Sequence, residues 1–476
     1  MGTKRVLVAT WGSPVGWNRV GYRVKLPGGN STSEDGPIES ESTLKPLIKT
    51  VNPDRVILIV LDTLFNAVDK RNKPPKKGFE RGFNGNGAVS YGDVIEDVRE
   101  RMEAYIKEQL GLDYDVRLFD AEKRGGKNAI DLVVAPGVGA FPNVTVEGNV
   151  KDFHRYVLYA LANLLPVRDL KLYFDMTHGV NYMPVLTYRA LGSLLRLLAY
   201  VRDVELTVVD SEPFLEGGKR VLNIVPVENK RLEPAPIKGL VDGKEEWNAF
   251  ISSLANGFPL VFLTFYPDIT GIENFLKKKL KGFLSSIDVS FSGDGKYLIR
   301  RKARLDEDFK VASKLFYAIR ALNARGFGKK EEPSLDELRR VNDTLFRKVP
   351  RINHVTDNQL NDLKSKLERY YKKRENSKNE NEWNGWCILG SIIWSDYRKI
   401  TQMRLRSFVR NFIAHSGFEF NITLVKKEET YKFRYDDPDN AALAAKMALT
   451  GSVQRGYIRI QHHEGCVCRQ WGRVEC

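Results

Sequence analysis

The amino-acid sequence predicts an α/β N-terminal domain with a doubly wound, mostly parallel sheet, followed by a mainly α-helical C-terminal domain with a small β-hairpin. Over residues 1–230, short runs of Val, Ile and Leu alternate with helical stretches. Several of these runs are apolar at nearly every position, which is typical of strands buried on both faces of a parallel sheet. After Pro234 and Pro236 the composition changes and helical periodicity dominates. These observations together favour two folds of different class in one chain.

Seven strands are predicted in the first part of the chain, at residues 5–10, 55–62, 115–119, 130–135, 170–175, 204–210 and 221–227. Four helices are predicted between them, at residues 39–50, 94–110, 150–164 and 184–201. This alternation indicates a doubly wound sheet, whose ligands bind beyond the carboxyl ends of the strands. The segment 21–37 and the basic, glycine-rich segment 70–92 are predicted to be long surface loops.

Six helices are predicted in the second part, at residues 245–256, 272–284, 306–324, 335–348, 357–375 and 397–416. Two helix starts carry the capping-box pattern, in which a hydroxyl and an acid or amide three residues later satisfy free backbone groups. These are Ser334 with Glu337, and Thr356 with Gln359. Residues 418–435 are rich in β-branched and aromatic side chains and predict the hairpin.

A chain of 476 residues is too long for one ordinary core. We predict a ligand-sensing domain at residues 1–230, a helical linker region at 231–330 and a second functional domain at 331–476. Lys and Arg number 75 against 60 Asp and Glu, giving a net charge of +15. This excess favours a polyanionic partner such as nucleic acid. The alternative is that abundant Lys and Glu solvate the surface of a heat-adapted protein.

The cysteine content is too low for a disulfide framework, since only four occur: Cys387, Cys466, Cys468 and Cys476. His462 and His463 lie near two of them, but the spacing fits none of the usual zinc patterns, so no metal site is predicted. The sequence has no apolar run of 18 or more residues and no recognisable leader. We therefore expect a cytoplasmic, soluble protein with no membrane partner.

Small and polar residues follow three of the predicted strands. The run DMTHGVN at residues 175–181 precedes a helix that opens with Pro184, where free backbone N–H groups can bind an anion. Gly12 with Ser13, and the run PGVGA at residues 136–140, follow two other strands. Three such loops at one sheet edge predict a pocket for a phosphate-bearing nucleotide. The alternative for each loop is that Gly and Pro simply turn the chain.

Two other nucleotide-binding classes are disfavoured. Two stretches nearly match the glycine-rich fingerprint of dinucleotide-binding domains. The stretch at residues 85–90 does not follow a predicted strand, and the stretch at residues 137–142 lacks the final glycine. No phosphate-binding G-x-x-x-x-G-K-[ST] loop occurs. Redox and P-loop ATPase chemistry are therefore not supported.

Arg410, Asn411 and His415 form the second candidate site, in an amphipathic run that Gly417 closes. An imidazole can transfer protons near neutral pH and a guanidinium can bind a phosphate through paired donors. RNA carries its own nucleophile, the 2′-hydroxyl, so these two groups suffice for cleavage without a metal. We expect the helix C-terminus to raise the pKa of His415. The alternative is that a lone histidine at a helix end is an ordinary cap.

The spacing of Arg410 and His415 bears on how such a site is assembled. Residues five apart on a helix diverge by roughly 140° around its axis, so one helix converges them poorly on one phosphate. Two copies packed about a two-fold axis would supply both pairs to one cleft. The spacing therefore favours a composite site in a homodimer or a higher oligomer.

An arginine, a polar residue and a histidine at this spacing resemble the R-x₄₋₆-H hallmark of HEPN ribonuclease domains. The runs DMTHGVNYMP at residues 175–184 and VAPGVG at residues 134–139 are similar to the ligand loops of CARF domains, the Rossmann-like sensors of CRISPR defence. The chain thus resembles the CARF–HEPN accessory ribonucleases of type III CRISPR systems. The resemblance covers the two ends of the chain better than residues 230–395.

The resemblance implies that cyclic oligoadenylate, first of all the tetra-adenylate ring, binds across a dimer of front domains. Its binding would activate cleavage of single-stranded RNA at the rear dimer interface, with no cofactor. Arg410, Asn411 and His415 match the catalytic motif. The residues that match the ligand loops, or are placed there by position, are Gly12, Ser13, Asp62, Thr63, Gly137, Gly139, Thr177, His178, Gly179 and Asn181.

Two further functions stay open at this point. In one, the front domain is a sensor and the helical half binds nucleic acid or a partner without catalysis. In the other, the front domain also degrades its own ring.

Overall fold

A computed structural model describes residues 2–27, 36–84, 88–120, 128–215, 220–292, 296–375, 385–453, 455–464, 466–468 and 474–475. The strands are β1 (Lys4–Thr10), β2 (Val20–Val24), β3 (Ile38–Ser40), β4 (Arg55–Leu61), β5 (Asp115–Leu118), β6 (Ala129–Ala135), β7 (Gly139–Ala140), β8 (Val144–Glu147), β9 (Leu170–Asp175), β10 (Val204–Ser211), β11 (Val221–Arg231), β12 (Ile287–Ser292), β13 (Lys296–Arg301), β14 (Cys387–Ile388), β15 (Gln402–Arg404), β16 (Thr423–Lys427), β17 (Tyr431–Tyr435), β18 (Tyr457–Arg459), β19 (Val467–Cys468) and β20 (Val474–Glu475). The helices are α1 (Leu44–Val51), α2 (Tyr91–Ala104), α3 (Val150–Leu164), α4 (Tyr182–Leu198), α5 (Glu245–Asn256), α6 (Pro259–Thr264), α7 (Ile269–Leu284), α8 (Glu307–Asn323), α9 (Leu335–Leu345), α10 (Pro350–Glu375), α11 (Leu389–Ile393), α12 (Leu405–Ala414) and α13 (Pro438–Thr450).

The chain forms two compact units. Unit 1 comprises Met1–Leu232 and Glu273–Ala318, and unit 2 comprises Glu233–Ile272 and Ile319–Cys476. The β12–β13 hairpin belongs to unit 1 because β13 pairs in parallel with β8. None of the helices in the described ranges combines the length and apolar character needed to cross a membrane.

Unit 1 is built on a nine-stranded mixed sheet in the order β3-β2-β11-β10-β9-β1-β4-β6-β5. Its six strands from β10 to β5 are all mutually parallel, and β11 joins them antiparallel. All seven residues of β6 are buried. Leu7 and Ala9 of β1 lie in one core with α1 and α2, and the alternating Val6 and Val8 are buried on the opposite face. The predicted parallel α/β fold is therefore confirmed.

Two segments predicted to be surface loops contain buried structure. Val20, Tyr22 and Val24 are buried on β2, which lies between β3 and β11 in the sheet. The prediction is wrong there because polar residues surround a strand too short to show clear alternation. The predicted helix at 39–50 begins only at Leu44, since β3 occupies its start. Residues 28–35 of the first segment lie outside the described residues.

The second of these segments, residues 70–92, folds around a buried lysine. The Lys76 ammonium group lies 2.8 Å from a Glu41 carboxylate oxygen and donates to the Pro14 carbonyl at 3.1 Å. The Asp69 carboxylate accepts hydrogen bonds from backbone N–H groups that include that of Lys76 at 3.0 Å. Phe79 is fully buried. A charge can be buried when it is paired and hydrogen-bonded, which the basic sequence alone does not reveal.

Unit 2 is mainly helical, with small antiparallel sheets, as predicted. The predicted hairpin forms as β16 and β17, and β14 pairs with β16. The predicted helix at 397–416 is shortened to α12, because residues 402–404 form β15 and pair with β18. Neither α6 nor α13 was expected from the periodicity.

One of the two predicted capping boxes exists. Ser334 caps α9, and Glu337 completes the reciprocal pair of hydrogen bonds. Thr356 instead lies inside α10, which begins at Pro350, and its hydroxyl donates to the Gly257 carbonyl at 3.1 Å. The second capping prediction is wrong because the helix starts more than a turn earlier.

Cys387 and Cys468 form a disulfide with a Cα–Cα distance of 5.7 Å, joining residues 81 positions apart in the sequence. The low cysteine count gave no reason to expect this bond. Because Cys468 is oxidised, the candidate zinc cluster of His462, His463, Cys466 and Cys468 does not form. Among the described residues, no group of three or more His, Cys, Asp or Glu side chains is arranged to hold a metal ion.

A buried ion pair within unit 1 fastens the β12–β13 hairpin to the main sheet. The Arg301 guanidinium pairs with the Asp62 carboxylate, and both side chains are fully buried. Arg301 Nη1 also donates to the Gly137 carbonyl at 2.6 Å, and the Asp62 carboxylate accepts from the Gly137 N–H at 2.8 Å. Removal of the Arg301 side chain would therefore leave the buried Asp62 carboxylate without a counter-charge.

We expect Arg301→Leu to lower the free energy of unfolding by about 3 to 5 kcal/mol, because breaking a buried pair leaves an uncompensated charge. Urea denaturation followed by circular dichroism measures the change. The control is Arg300→Leu at the neighbouring position, where the partner is the exposed Glu147. Equal destabilisation by the two substitutions would contradict the assignment.

Candidate functional site

The catalytic candidates lie on and directly after α12 in unit 2. Leu405, Phe408, Val409 and Phe412 recur at helical spacing and are all buried. This apolar face packs inward, and the Phe412 ring meets the Phe258 ring at 5.3 Å in an edge-on contact. The opposite side of the helix is consequently directed away from the core of the unit.

Arg410 lies on this outward side and is exposed. Its Nη2 atom lies 3.4 Å from the Asn411 side-chain oxygen, and it makes no ion pair with any described residue. The guanidinium therefore keeps most of its donors for an added anion. Ile413, three residues further on, is 44% exposed, so an apolar side chain stands beside the exposed arginine.

The end of α12 places His415. The His415 N–H donates to the Asn411 carbonyl at 3.0 Å, and the Gly417 N–H donates to that of Phe412 at 2.8 Å. Ser416 and Gly417 have φ angles of 51° and 89°, so the chain leaves the helix in the left-handed region that glycine favours. A Cβ atom on Gly417 would lie 3.1 Å from the Phe258 Cβ. This tight turn fixes the backbone of the histidine.

The His415 ring is half-buried and held on two sides. Its Nδ1 atom lies 3.2 Å from the side-chain oxygen of Gln359 on α10. The Phe420 ring lies 4.3 Å away between centroids, tilted by 33°. Gln359 was read from the sequence as part of a capping box, and it instead contacts the catalytic candidate.

The expected rise in the pKa of His415 is wrong. Burial of the ring lowers its pKa below the ordinary value of 6.5, and the positive charge of Lys366 lowers it further. Asp362 opposes them with a smaller effect. These influences outweigh the effect of the helix C-terminus. Removing the imidazolium from water costs more free energy than its attraction to the partial negative charge at the helix end recovers. His415 is therefore neutral at pH 7 and able to accept a proton.

The ligand candidates of unit 1 surround cavities at the carboxyl ends of the parallel strands. Gly12, Ser13 and Thr63 line a cavity of about 380 Å³ that follows β1 and β4. Its wall also includes three aromatic side chains and two basic ones, namely Trp11, Phe65, Phe141, Lys70 and Arg71. The last two were missed, although the excess of basic residues in segment 70–92 was a usable signal.

Thr177 and His178 line a second cavity of about 380 Å³. The Thr177 hydroxyl donates to Asp175 at 2.7 Å, which closes a turn directly after β9. The His178 Nε2 atom accepts from the Thr43 N–H at 3.3 Å, and its ring packs on the Trp17 ring at 4.2 Å. Burial lowers the pKa of His178 to about 4, so the ring is a neutral acceptor. The structure thus divides the predicted ligand residues between two cavities.

The remaining ligand candidates have other contacts. The Asp62 carboxylate pairs with Arg301 and accepts hydrogen bonds from the Gly137 N–H and the Tyr91 hydroxyl. A Cβ atom on Gly137 would lie 2.5 Å from the Thr63 Cγ2. Gly137 therefore allows the loop after β6 to approach the loop after β4.

Gly179 likewise allows close packing, in the loop between β9 and α4. A Cβ atom there would lie 2.6 Å from the Thr10 hydroxyl oxygen and 2.8 Å from the Pro184 ring. Asn181 is exposed and precedes α4 as its N-cap residue. Gly139 is exposed in β7, with a φ angle of 128°.

Comparison with known proteins connects both sites to one family. Residues 6–213 match the model described as CRISPR system endoribonuclease Csx1, CARF domain, and residues 350–437 match the HEPN domain of the same enzyme. The CRISPR system endoribonuclease Csx1 of Methanocaldococcus jannaschii is 30% identical over 460 residues, which cover 88% of this chain and 86% of that protein. The chain belongs to the Csx1 family of CRISPR endoribonucleases.

Membership of the Csx1 family confirms the predicted CARF–HEPN resemblance. The chain is an endoribonuclease with a HEPN domain, so a role without catalysis is disfavoured. The HEPN match contains all of α12, His415 and Gln359, and the CARF match contains all ten ligand candidates. The family implies an RNA substrate and a ligand for the CARF domain.

We expect the stability of this Csx1 protein to fall as the pH drops from about 8 to 5, partly through His178. Its folded pKa of about 4 lies below the ordinary 6.5. At pH values between these two, the unfolded chain binds a proton that the folded chain does not bind. This difference lowers the free energy of unfolding by about 2 kcal/mol at pH 5. His178→Gln keeps an acceptor for Thr43 and should show a correspondingly smaller loss in urea denaturation. An unchanged pH dependence would refute the assignment.

Proposed function

We propose that this Csx1-family endoribonuclease cleaves single-stranded RNA without a metal ion when cyclic oligoadenylate binds its CARF domain. The observation that carries the proposal is the placement of Arg410 and His415 on and after α12. The arginine is exposed with free donors, and the imidazole is neutral. A base and an anion clamp are the groups needed when the substrate carries its own nucleophile.

In the proposed reaction, a neutral imidazole accepts the proton of an RNA 2′-hydroxyl and the 2′-oxygen attacks the adjacent phosphorus. The P–O5′ bond breaks, and the departing 5′-oxygen takes a proton from an imidazolium. The products are a 2′,3′-cyclic phosphate and a free 5′-hydroxyl, so atoms and charge balance. Arg410 binds the phosphoryl oxygens and stabilises their added negative charge in the transition state.

A second copy of the chain completes the proposed site. Ideal helical spacing would separate positions 410 and 415 by roughly 140° around the axis, so we expect one copy to direct both side chains poorly at one phosphate. The exposed Ile413 offers apolar area beside Arg410 for a partner helix. A two-fold arrangement would supply two imidazoles, one as the base and one as the acid.

The proposed activator is cyclic oligoadenylate, with the tetra-adenylate ring as the first compound to test. The cavity after β1 and β4 combines Trp11, Phe65 and Phe141 with Lys70 and Arg71. Phe141 is the partly exposed ring that can stack on an adenine base, since Trp11 and Phe65 are fully buried, and the basic groups bind phosphates. Ser13 and Thr63, which also line the cavity, add hydroxyl groups for ribose or phosphate oxygens. We propose that the loop of Thr177 and His178 contributes to the same ligand surface.

We expect cleavage of single-stranded RNA in EDTA-containing buffer to depend on added cyclic tetra-adenylate. His415→Ala and Arg410→Ala should each lower the activated rate by about a hundredfold or more while leaving ring binding unchanged. His354→Ala is the control, because His354 is an exposed histidine of α10. Ring binding by the wild type without cleavage would contradict the proposal, as would full activity of His415→Ala.

We expect Arg71→Ala to raise the concentration of cyclic tetra-adenylate needed for half-maximal activation by about tenfold or more, with the maximal rate unchanged. The reason is the loss of one charge-assisted hydrogen bond to the ring. The control is Lys171→Ala, because the exposed Lys171 lies at the opposite end of the sheet. An unchanged activation curve for Arg71→Ala would exclude this cavity as the activator site.

A further inference from the structure

Gln359 lies within α10, facing the histidine that follows α12. Its side-chain oxygen is the atom directed at the His415 Nδ1, at 3.2 Å. An amide oxygen only accepts hydrogen bonds, so a hydrogen bond to it requires a proton on the ring nitrogen opposite. The amide nitrogen of Gln359 is buried and has no hydrogen-bond partner among the described residues. Among the described residues, the His415 ring is thus the one side-chain hydrogen-bond partner of the Gln359 amide.

We propose that Gln359 is a positioning residue that holds the proton of His415 on Nδ1, so that Nε2 is the free base for the RNA 2′-hydroxyl. The inference rests on the proposed function of His415 and adds a residue to it. A neutral imidazole has two tautomers, and only the one with an unprotonated Nε2 can accept a proton at that atom. The partner of the other nitrogen decides which tautomer is present.

Phe420 fixes the plane of the same ring. Its own position is held by Glu419 and Asn421 on either side of it. The buried Glu419 carboxylate accepts from the Asn421 backbone N–H at 2.7 Å and from its side-chain amide at 2.8 Å. The Trp394 ring meets the Phe420 ring edge-on, at 5.1 Å between centroids. The imidazole therefore has one hydrogen-bond partner and one ring contact, which together restrict its orientation.

An uncharged partner suits a base that must be neutral. The charged groups that act on His415 from α10 are Lys366, which lowers its pKa, and Asp362, which raises it. These two side chains pair with each other at 2.7 Å, so their effects partly cancel. A carboxylate in place of the Gln359 amide would stabilise the imidazolium and oppose this balance.

The test compares Gln359→Glu and Gln359→Leu with the wild type in cyclic-tetra-adenylate-activated RNA cleavage across pH. We expect Gln359→Glu to move the acid limb of the pH–rate profile upward by about one unit or more, because a carboxylate beside Nδ1 raises the pKa of the base. Gln359→Leu should lower the plateau rate by about tenfold or more, because the ring loses its orientation. A purely structural role would lower the rate of Gln359→Leu without changing the tautomer of His415.

The matched control is Asn358→Leu. Asn358 directly precedes Gln359 on α10. Its side-chain amide also contacts a histidine ring, since it lies 3.1 Å from the ring of the exposed His354. Its profile should equal that of the wild type. Nitrogen-15 NMR of labelled histidine reads the tautomer directly, and the chain has only 6 histidines to assign. The wild type should show His415 protonated on Nδ1, and Gln359→Leu should lose that preference.

The outcomes separate this inference from the proposed function. Full activity of His415→Ala removes the function and the inference together. If His415→Ala is inactive but both Gln359 variants keep the wild-type profile, only the role of Gln359 is lost. Protonation of His415 on Nε2 in the wild type would also overturn it.

Discussion

The buried face of α12 is the constraint on which the account of this enzyme depends. Leu405, Phe408, Val409 and Phe412 are buried, which fixes the rotation of the helix about its axis. Once that rotation is fixed, Arg410 must face outward, and His415 must lie in the turn after the last helical residue. Ideal helical spacing would also keep the two groups apart around the axis. In the proposed mechanism, a single copy therefore presents half of the groups that phosphoryl transfer to the 2′-oxygen requires.

The environment of His415 suits its proposed role as a base. Burial and the charge of Lys366 lower its pKa, so the ring is neutral at pH 7. Gln359 and Phe420 contact the ring from two sides. Unit 2 thus determines both the protonation state and the orientation of the proposed base. Orientation by surrounding side chains and a matched pKa are the usual requirements for general-base catalysis.

The sequence revealed those features whose signals are local. The apolar runs of β1, β4 and β6 were predicted, as were the Arg410–His415 motif and the cap at Ser334. Features that depend on distant partners were missed. The burial of Lys76 needs Glu41, and the role of Gln359 needs a helix that starts at Pro350 rather than at its own capping pattern. The pKa of His415 was predicted in the wrong direction because the burial of its ring and the nearby charge of Lys366 arise only once the chain is folded.

Mixing active and inactive subunits tests the composite site most directly. Wild-type protein is equilibrated with an equal amount of His415→Ala, and the activated cleavage rate is compared with that of the wild type alone. If both copies of a dimer must contribute an imidazole, only wild-type homodimers are active, and random mixing leaves about a quarter of the dimers in that form. The account predicts that the rate per total dimer falls to this fraction. A rate of about half, proportional to the wild-type subunits, would show that each copy acts alone and would contradict it.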